Sequence, residues 1–158
     1  MTQTEDTEDR PGVVARPPLI YLGFLGLGLG LDALWPVAVI PEAVQYPAGA
    51  ALIALGVGIV AAAFKQFRAA GTNVETSKPT NAIVTGGLYR FSRNPIYLAL
   101  SSIYAGIGIA ADNLWVLALL VPVLAIVRSG VIAREERYLE DKFGADYRRY
   151  KAAVRRWL

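Results

Sequence analysis

The sequence predicts an all-α integral membrane protein, and two features of its composition lead to this fold class. Of the 158 residues, 54% are hydrophobic and only 18% are charged, whereas a soluble domain carries about a quarter charged residues. The charged residues also lie in clusters that leave four long apolar stretches between them. Together these features exclude an ordinary soluble globule and an intrinsically disordered chain.

Each apolar stretch is close to the length of a membrane-spanning helix, which needs about 20 apolar residues. Backbone N–H and C=O groups cannot remain unpaired in lipid, so each stretch should be helical. The predicted spans are residues 18–40, 44–64, 95–111 and 113–133. Residues 17–158 are therefore expected to form one membrane-embedded domain, preceded by a polar tail over residues 1–16.

The distribution of basic residues predicts the orientation of these spans. All Lys and Arg residues fall in the tail, in the loop 65–94 or in the segment from Arg128 onward. Because loops rich in Lys and Arg stay in the cytoplasm, both termini and the loop 65–94 are expected there. The acidic start of the tail is unlike the basic start of a signal peptide.

Glycines mark the expected contacts between the spans. Gly26 and Gly30 have the small-xxx-small spacing of close helix pairs, and further close contacts are expected at two glycine pairs, Gly56/Gly58 and Gly106/Gly108. The chain contains no Cys and no His. It therefore lacks thiolate chemistry, the commonest general base and the commonest metal ligand, and neither a metal nor a nucleic acid is expected as a partner.

A segment rich in polar and aromatic residues opens the third span; its members are Tyr89, Arg90, Arg93, Asn94, Pro95 and Tyr97. Asn94 suits the N-cap of a helix and Pro95 its first turn. With Arg90 and Arg93 beside it, this helix start is suited to bind a carboxylate or a phosphate. The alternative is a purely structural turn with an aromatic belt at the membrane interface.

Glu135 and Glu136 lie at the cytoplasmic end of the fourth span. Neither has a basic residue three or four positions away, so ordinary pairing along a helix does not explain them. Their partner is expected to be either an arginine across the bundle (Arg90, Arg93 or Arg128) or a cationic ligand.

The C-terminal segment 134–158 is expected to include an amphipathic helix at the membrane surface. Its apolar stripe, at spacings of three, four and three residues, consists of Tyr147, Tyr150, Val154 and Trp157. Five basic residues lie on the opposite side, as in helices that rest on an anionic leaflet. Such a helix would also cover a site next to it.

These motifs together resemble the isoprenylcysteine carboxyl methyltransferase / phospholipid methyltransferase family of integral membrane enzymes. The family signature is G-x-Y-R-x-x-R-H-P-x-Y, then Glu-Glu, then F-G-x-x-Y-x-x-Y and a basic end with Trp. The matching residues here are Gly87, Tyr89, Arg90, Arg93, Asn94, Pro95, Tyr97, Glu135, Glu136, Phe143, Gly144, Tyr147, Tyr150, Arg155, Arg156 and Trp157. The resemblance covers about residues 64–158. Asn94 replaces the His of eukaryotic members, as in short prokaryotic relatives. This difference weakens the inference that the substrate is a prenylcysteine.

The resemblance implies a methyltransferase that uses S-adenosyl-L-methionine, releases S-adenosyl-L-homocysteine and resides in a prokaryotic cytoplasmic membrane. The acceptor would be a lipophilic molecule with a carboxyl, amine, thiol or lipid headgroup. The implied catalytic residues are Arg93, Asn94 and Glu136. The implied donor site comprises Tyr89, Arg90, Arg93, Asn94, Pro95, Tyr97, Glu135, Glu136, Tyr147 and Tyr150.

Within this site the start of the third span and Arg93 suit the donor's carboxylate, and Glu135 and Glu136 suit its ammonium. Tyr89 and Tyr97 can pack against its adenine or thioether. Two alternatives stay open. One is a small proton-coupled exporter that uses Asp32, the single charge within the first span, although Asp32 is more simply placed near the outer interface. The other is a family member that has lost activity.

Overall fold

The computed structural model describes residues 11–74 and 78–158, so most of the predicted polar tail lies outside the described residues. The described chain is all-α. Its helices are α1 (Pro17–Leu34), α2 (Glu42–Ala69), α3 (Pro95–Ala110), α4 (Leu114–Phe143) and α5 (Ala145–Ala153), and a short 3₁₀ turn covers Gly87–Arg90. Within α4 a π-helical segment spans Val127–Ile132.

Three of these helices, α1, α2 and α4, are long and apolar enough to cross a bilayer. The remaining predicted span, the third along the chain, is the shorter apolar helix α3, with 16 residues. At a rise of 1.5 Å per residue, α3 extends about 24 Å, less than the roughly 30 Å of a hydrocarbon core. The chain is a multi-pass helical membrane protein.

Three of the helices end at other positions than predicted. The second span is predicted to end at residue 64, but α2 continues to Ala69. The first ends at Leu34 and not at residue 40, because Trp35 precedes a proline and takes a non-helical conformation. The last span does not stop at residue 133 but continues as one helix to Phe143. The two adjacent glutamates are therefore held on the same rigid element as the apolar span.

Close glycine contacts set the distance between α2 and α3. A Cβ at Gly56 would lie 2.6 Å from the Ala99 carbonyl oxygen, and a Cβ at Gly106 would lie 2.8 Å from the Gly49 carbonyl oxygen. Three predicted contacts are wrong, because Gly26, Gly30 and Gly58 have no neighbour within 4 Å of their Cβ positions. Gly26 and Gly30 are exposed on faces of α1 that point away from the other described helices.

A hydrophobic core on α4 joins this helix to α1 and α3. Its members are Ile20, Tyr21, Tyr97, Tyr104, Val116, Val123, Val127, Val131 and Ile132. The hydroxyl of Tyr21 on α1 also lies 2.9 Å from that of Ser101 on α3. This core brings the start of α3 against the part of α4 that carries the glutamates.

The C-terminal segment folds back onto the start of α3. Gly144, at a positive φ of 54°, separates α4 from α5. The prediction that a helix extends to Trp157 is wrong, because α5 ends at Ala153 and Val154 is extended. The amide of Arg93 donates instead to the carbonyl of Arg155 at 3.0 Å, so the last residues form a strap beside α3.

Candidate active site

A cavity of about 530 Å³ lies where the N-terminal ends of α1 and α3 meet the C-terminal half of α2, the glutamates of α4, and α5. Its volume is typical of small-molecule sites. Eight predicted site residues line it: Tyr89, Arg93, Asn94, Tyr97, Glu135, Glu136, Tyr147 and Tyr150. The two others do not. Arg90 is exposed beside it, and Pro95 is buried in the first turn of α3.

A tight turn before α3 positions Tyr89 in the lining of the cavity. Gly87 has a φ of 55°, in the left-handed region that favours glycine, and lies against the Gln66 side chain of α2. The 3₁₀ turn that follows buries Tyr89, whose ring packs edge-on against Phe67 with centroids 5.5 Å apart. This contact fixes Tyr89 against the end of α2.

Glu136 is bound by two arginines of the protein itself. Arg156 donates through Nε to Oε1 at 3.1 Å and through Nη2 to Oε2 at 2.6 Å, and Arg93 Nη2 lies 3.2 Å from Oε1. The Glu136 side chain is 7% exposed. Of the predicted partners across the bundle, Arg93 makes the contact, and Arg156 was missed. Its only sequence signal was the basic end of the motif.

Glu135 has a different environment from its neighbour in the chain. Its Oε1 accepts a hydrogen bond of 2.7 Å from the Tyr97 hydroxyl. Across residues 11–74 and 78–158, no Lys or Arg lies within ion-pair distance of it. The side chain lines the cavity, so Glu135 presents a carboxylate that can bind a cation.

Arg93 presents the complementary group to the same cavity. Its side chain is only 9% exposed, and Nη2 contacts Glu136. Its Nε and Nη1 are buried and have no hydrogen-bond partner among the described residues. Buried N–H groups of a charged side chain are costly when unpaired. These two therefore indicate a position for an anionic ligand.

Asn94 does not act as a side-chain cap, and that prediction is wrong. It precedes α3, but its side chain makes no capping hydrogen bond. Its Nδ2 instead donates to the Arg156 carbonyl at 2.9 Å, and the Ser92 hydroxyl donates to the same oxygen at 3.3 Å. Asn94 thus holds the C-terminal strap, a contact 62 residues away that no local pattern encodes.

Two tyrosines of α5 close the cavity from the side of the C-terminal segment. The Tyr150 hydroxyl donates to the Tyr89 carbonyl at 2.7 Å, and the Tyr147 ring packs edge-on against Tyr150. Burial raises the pKa of Tyr147 to about 12; the charge of Glu136 adds to this rise and Arg93 opposes it. Burial likewise raises the pKa of Tyr150. Both tyrosines are therefore neutral near pH 7.

Asp32 lies away from this cavity, near the end of α1. Its Oδ1 accepts from the amide of Val37 at 3.4 Å in the loop that follows, and it is not among the residues that line the cavity. The contact is that of an acid that supports a loop at the end of its helix.

Comparison with known proteins identifies a family model that matches this chain. The family model of the phospholipid methyltransferases matches residues 44–146, about two thirds of the chain. A Haemophilus influenzae protein described as uncharacterized is 60% identical over 35 residues, which cover 22% of this chain and 56% of that relative. The chain thus spans about half the length of the curated relative it matches. No solved structure matches. The matched region contains most of the cavity lining and both glutamates, and the chain belongs to the phospholipid methyltransferase family.

Proposed function

We propose that this protein is an S-adenosyl-L-methionine-dependent methyltransferase that acts in the membrane on a lipophilic acceptor. The observation that carries the proposal is that an arginine and a glutamate line the same cavity, and each has polar atoms without an oppositely charged partner among the described residues. Arg93 offers two buried N–H groups without partners, and Glu135 offers a carboxylate without a cation. The amino-acid end of the donor carries a carboxylate and an ammonium, the two groups that would pair with them.

The rest of the lining fits the remainder of the donor. Tyr89 and Tyr97 supply aromatic surface for the adenine and for the neighbourhood of the positively charged sulfur. The cavity volume of about 530 Å³ lies within the range of about 300–1,000 Å³ for sites that hold molecules of this size.

When bound, the donor supplies a methyl group on a positively charged sulfur, which an acceptor atom takes by displacement. The protein's part is to orient both molecules and to exclude water. Arg93 and Glu135 would hold the donor's polar end, while Tyr147 and Tyr150 cover it. Holding two reactants in a reactive geometry contributes about 7–11 kcal/mol.

Two of the residues implied as catalytic act in this proposal as positioning residues. Glu136 holds one end of the Arg93 guanidinium, whose Nε and Nη1 have no hydrogen-bond partner among the described residues. Asn94 fastens the strap that carries Arg156. Arg93 is the member of the implied set that would touch the donor.

The apolar part of the lining supports a lipophilic acceptor. It comprises Leu19 of α1, Val60 and Phe64 of α2, and Ile96 and Leu100 of α3. Leu19 and Phe64 are also exposed on the outer surface, so this wall continues into the region that lipid would surround. Family membership supports a lipid acceptor as well.

The test is donor binding followed by methyl transfer, with purified protein in detergent. Labelled S-adenosyl-L-homocysteine should bind saturably, and methyl-labelled donor should modify a component of a bacterial lipid extract, with a mass gain of 14 Da per methyl group. Glu135→Gln should lose both activities, whereas Asp141→Asn, an exposed acid further along α4, should keep both. Donor binding without transfer to any lipid would indicate an inactive family member. No donor binding would refute the proposal.

A further inference from the structure

Arg16 is a charged residue of the cavity that the donor does not account for. It directly precedes α1, is exposed, and is one of the residues that line the cavity. In the described part of the chain its side chain makes no hydrogen bond and no ion pair. Its guanidinium is therefore available to a ligand at the mouth of the cavity.

Specific contacts bring Arg16 to this position. The amide of Val14 donates to the Gly130 carbonyl at 3.3 Å, and Arg134 Nη1 donates to the Gly12 carbonyl at 2.8 Å. These bonds fasten the residues before α1 to α4. Since α1 begins with Pro17 and Pro18, which have no N–H groups, the positive charge at this end comes from the Arg16 side chain.

The acidic and basic side chains around the cavity can be assigned one by one. Its described lining contains four Asp, Glu, Lys or Arg residues: Arg16, Arg93, Glu135 and Glu136. Glu136 is bound by Arg93 and Arg156. In the proposed donor site, Glu135 and the free N–H groups of Arg93 hold the ammonium and the carboxylate. Arg16 remains as the one cation of this lining without an assigned partner.

We propose that Arg16 determines acceptor specificity by pairing with an anionic group, a phosphate or a carboxylate, on the lipophilic acceptor. The apolar part of such an acceptor would lie along Leu19, Phe64 and Leu100, which share the cavity with Arg16. This inference rests on the proposed methyl transfer, because it assigns Arg16 to the second substrate. A guanidinium pairs with either anion by two parallel hydrogen bonds.

Four short, water-soluble probes test the assignment: hexyl phosphate, hexanoate, hexanol and hexylamine. Each is titrated by calorimetry into detergent-solubilised protein, with saturating S-adenosyl-L-homocysteine to occupy Arg93 and again without it. We expect the anionic probes to bind more tightly than hexanol, and Arg16→Gln to weaken them about tenfold, the scale of one charge-assisted hydrogen bond. Hexanol should be unaffected, and Arg16→Lys should retain most of the preference for anions.

Arg128→Gln is the matched control, because Arg128 is exposed, lies on α4 and is not part of the cavity lining. It removes the same charge and should bind all four probes like the wild type. The stronger of the two anionic probes identifies whether a phosphate or a carboxylate is recognised. Equal affinity of the wild type and Arg16→Gln for both anions would overturn the assignment.

Binding of S-adenosyl-L-homocysteine separates this inference from the proposed function. If Arg16→Gln binds it like the wild type and loses only the anionic probes, Arg16 belongs to the acceptor. If Arg16→Gln loses S-adenosyl-L-homocysteine itself, Arg16 belongs to the donor site and the inference fails. If the wild type does not bind it, the proposed function fails, whatever the probes do.

Discussion

The Arg156 guanidinium donates hydrogen bonds to both carboxylate oxygens of Glu136, with Nε 3.1 Å from Oε1 and Nη2 2.6 Å from Oε2. A two-point pair of this kind is among the strongest side-chain contacts. Arg93 also contacts this carboxylate, with Nη2 3.2 Å from Oε1. As a result, two glutamates adjacent in the chain have different environments, since Glu136 is bound by two arginines and Glu135 accepts a hydrogen bond from Tyr97.

The first prediction concerns these two glutamates. Glu135→Gln should lower donor affinity at least about tenfold, or about 1.4 kcal/mol, without changing the thermal unfolding temperature. Glu136→Gln should destabilise the fold by about 3 kcal/mol, the low end of the range for a broken buried pair, since Arg156 is partly exposed. Equilibrium binding and thermal unfolding in detergent measure the two effects. Wild-type donor binding by Glu135→Gln would refute the ammonium site.

The second prediction concerns the anion site at Arg93. Arg93→Gln should weaken binding of S-adenosyl-L-homocysteine by about 1.5–3 kcal/mol, the value of hydrogen bonds to a charged group. The same variant should bind the decarboxylated donor analogue like the wild type, because that analogue lacks the group that Arg93 would hold. Competition binding with both ligands measures the difference. An equal loss for both ligands would contradict a carboxylate contact.

The third prediction follows from the pKa of Tyr147, which burial raises to about 12 from the usual value near 10. Between pH 10 and 12 the folded protein therefore retains a proton that the unfolded chain has released. This side chain therefore stabilises the fold fully below pH 10, and the contribution is lost as the pH rises from 10 to 12. The unfolding temperature of the wild type should fall in this window more steeply than that of Tyr147→Phe. Parallel curves for the two proteins would contradict the shift.

The fourth prediction tests the packing of α2 on α3. Gly56→Ala should destabilise the protein by about 1–3 kcal/mol, the usual cost of overpacking, because its Cβ would lie 2.6 Å from the Ala99 carbonyl oxygen. Gly58→Ala, two residues along the same helix, meets nothing within 4 Å. It should be neutral or slightly stabilising. Thermal unfolding of the two variants in the same detergent decides the comparison.

The fifth prediction is the topology, with four membrane crossings and both termini in the cytoplasm. It follows from the basic residues, which are absent from the turns that begin near Pro41 and at Asp112. Reporter domains fused after Leu158 and inserted at Glu42 should report the cytoplasm and the exterior, respectively. The same compartment for both fusions would overturn this arrangement.

The sequence by itself determined the helical class, the apolar segments and most members of the candidate site. This was possible because the signals are local. A run of uncharged residues predicts a segment that lies in lipid. The spacing of Tyr89, Arg93 and Tyr97 predicts the turn and the helix start on which they lie. Eight of the predicted residues therefore line one cavity.

Only the tertiary structure decided which groups pair across that cavity. Asn94 meets the Arg156 carbonyl, and Glu136 meets the Arg156 guanidinium, across 62 and 20 residues of chain. The strap exists because α5 stops at Ala153 and lets the chain turn back, although the stripe of apolar residues favoured a longer helix. A local pattern describes what one helix can present. The free energy of pairing a buried charge depends on the partner that the folded chain brings to it, and so the different partners of Glu135 and Glu136 become visible only in the fold.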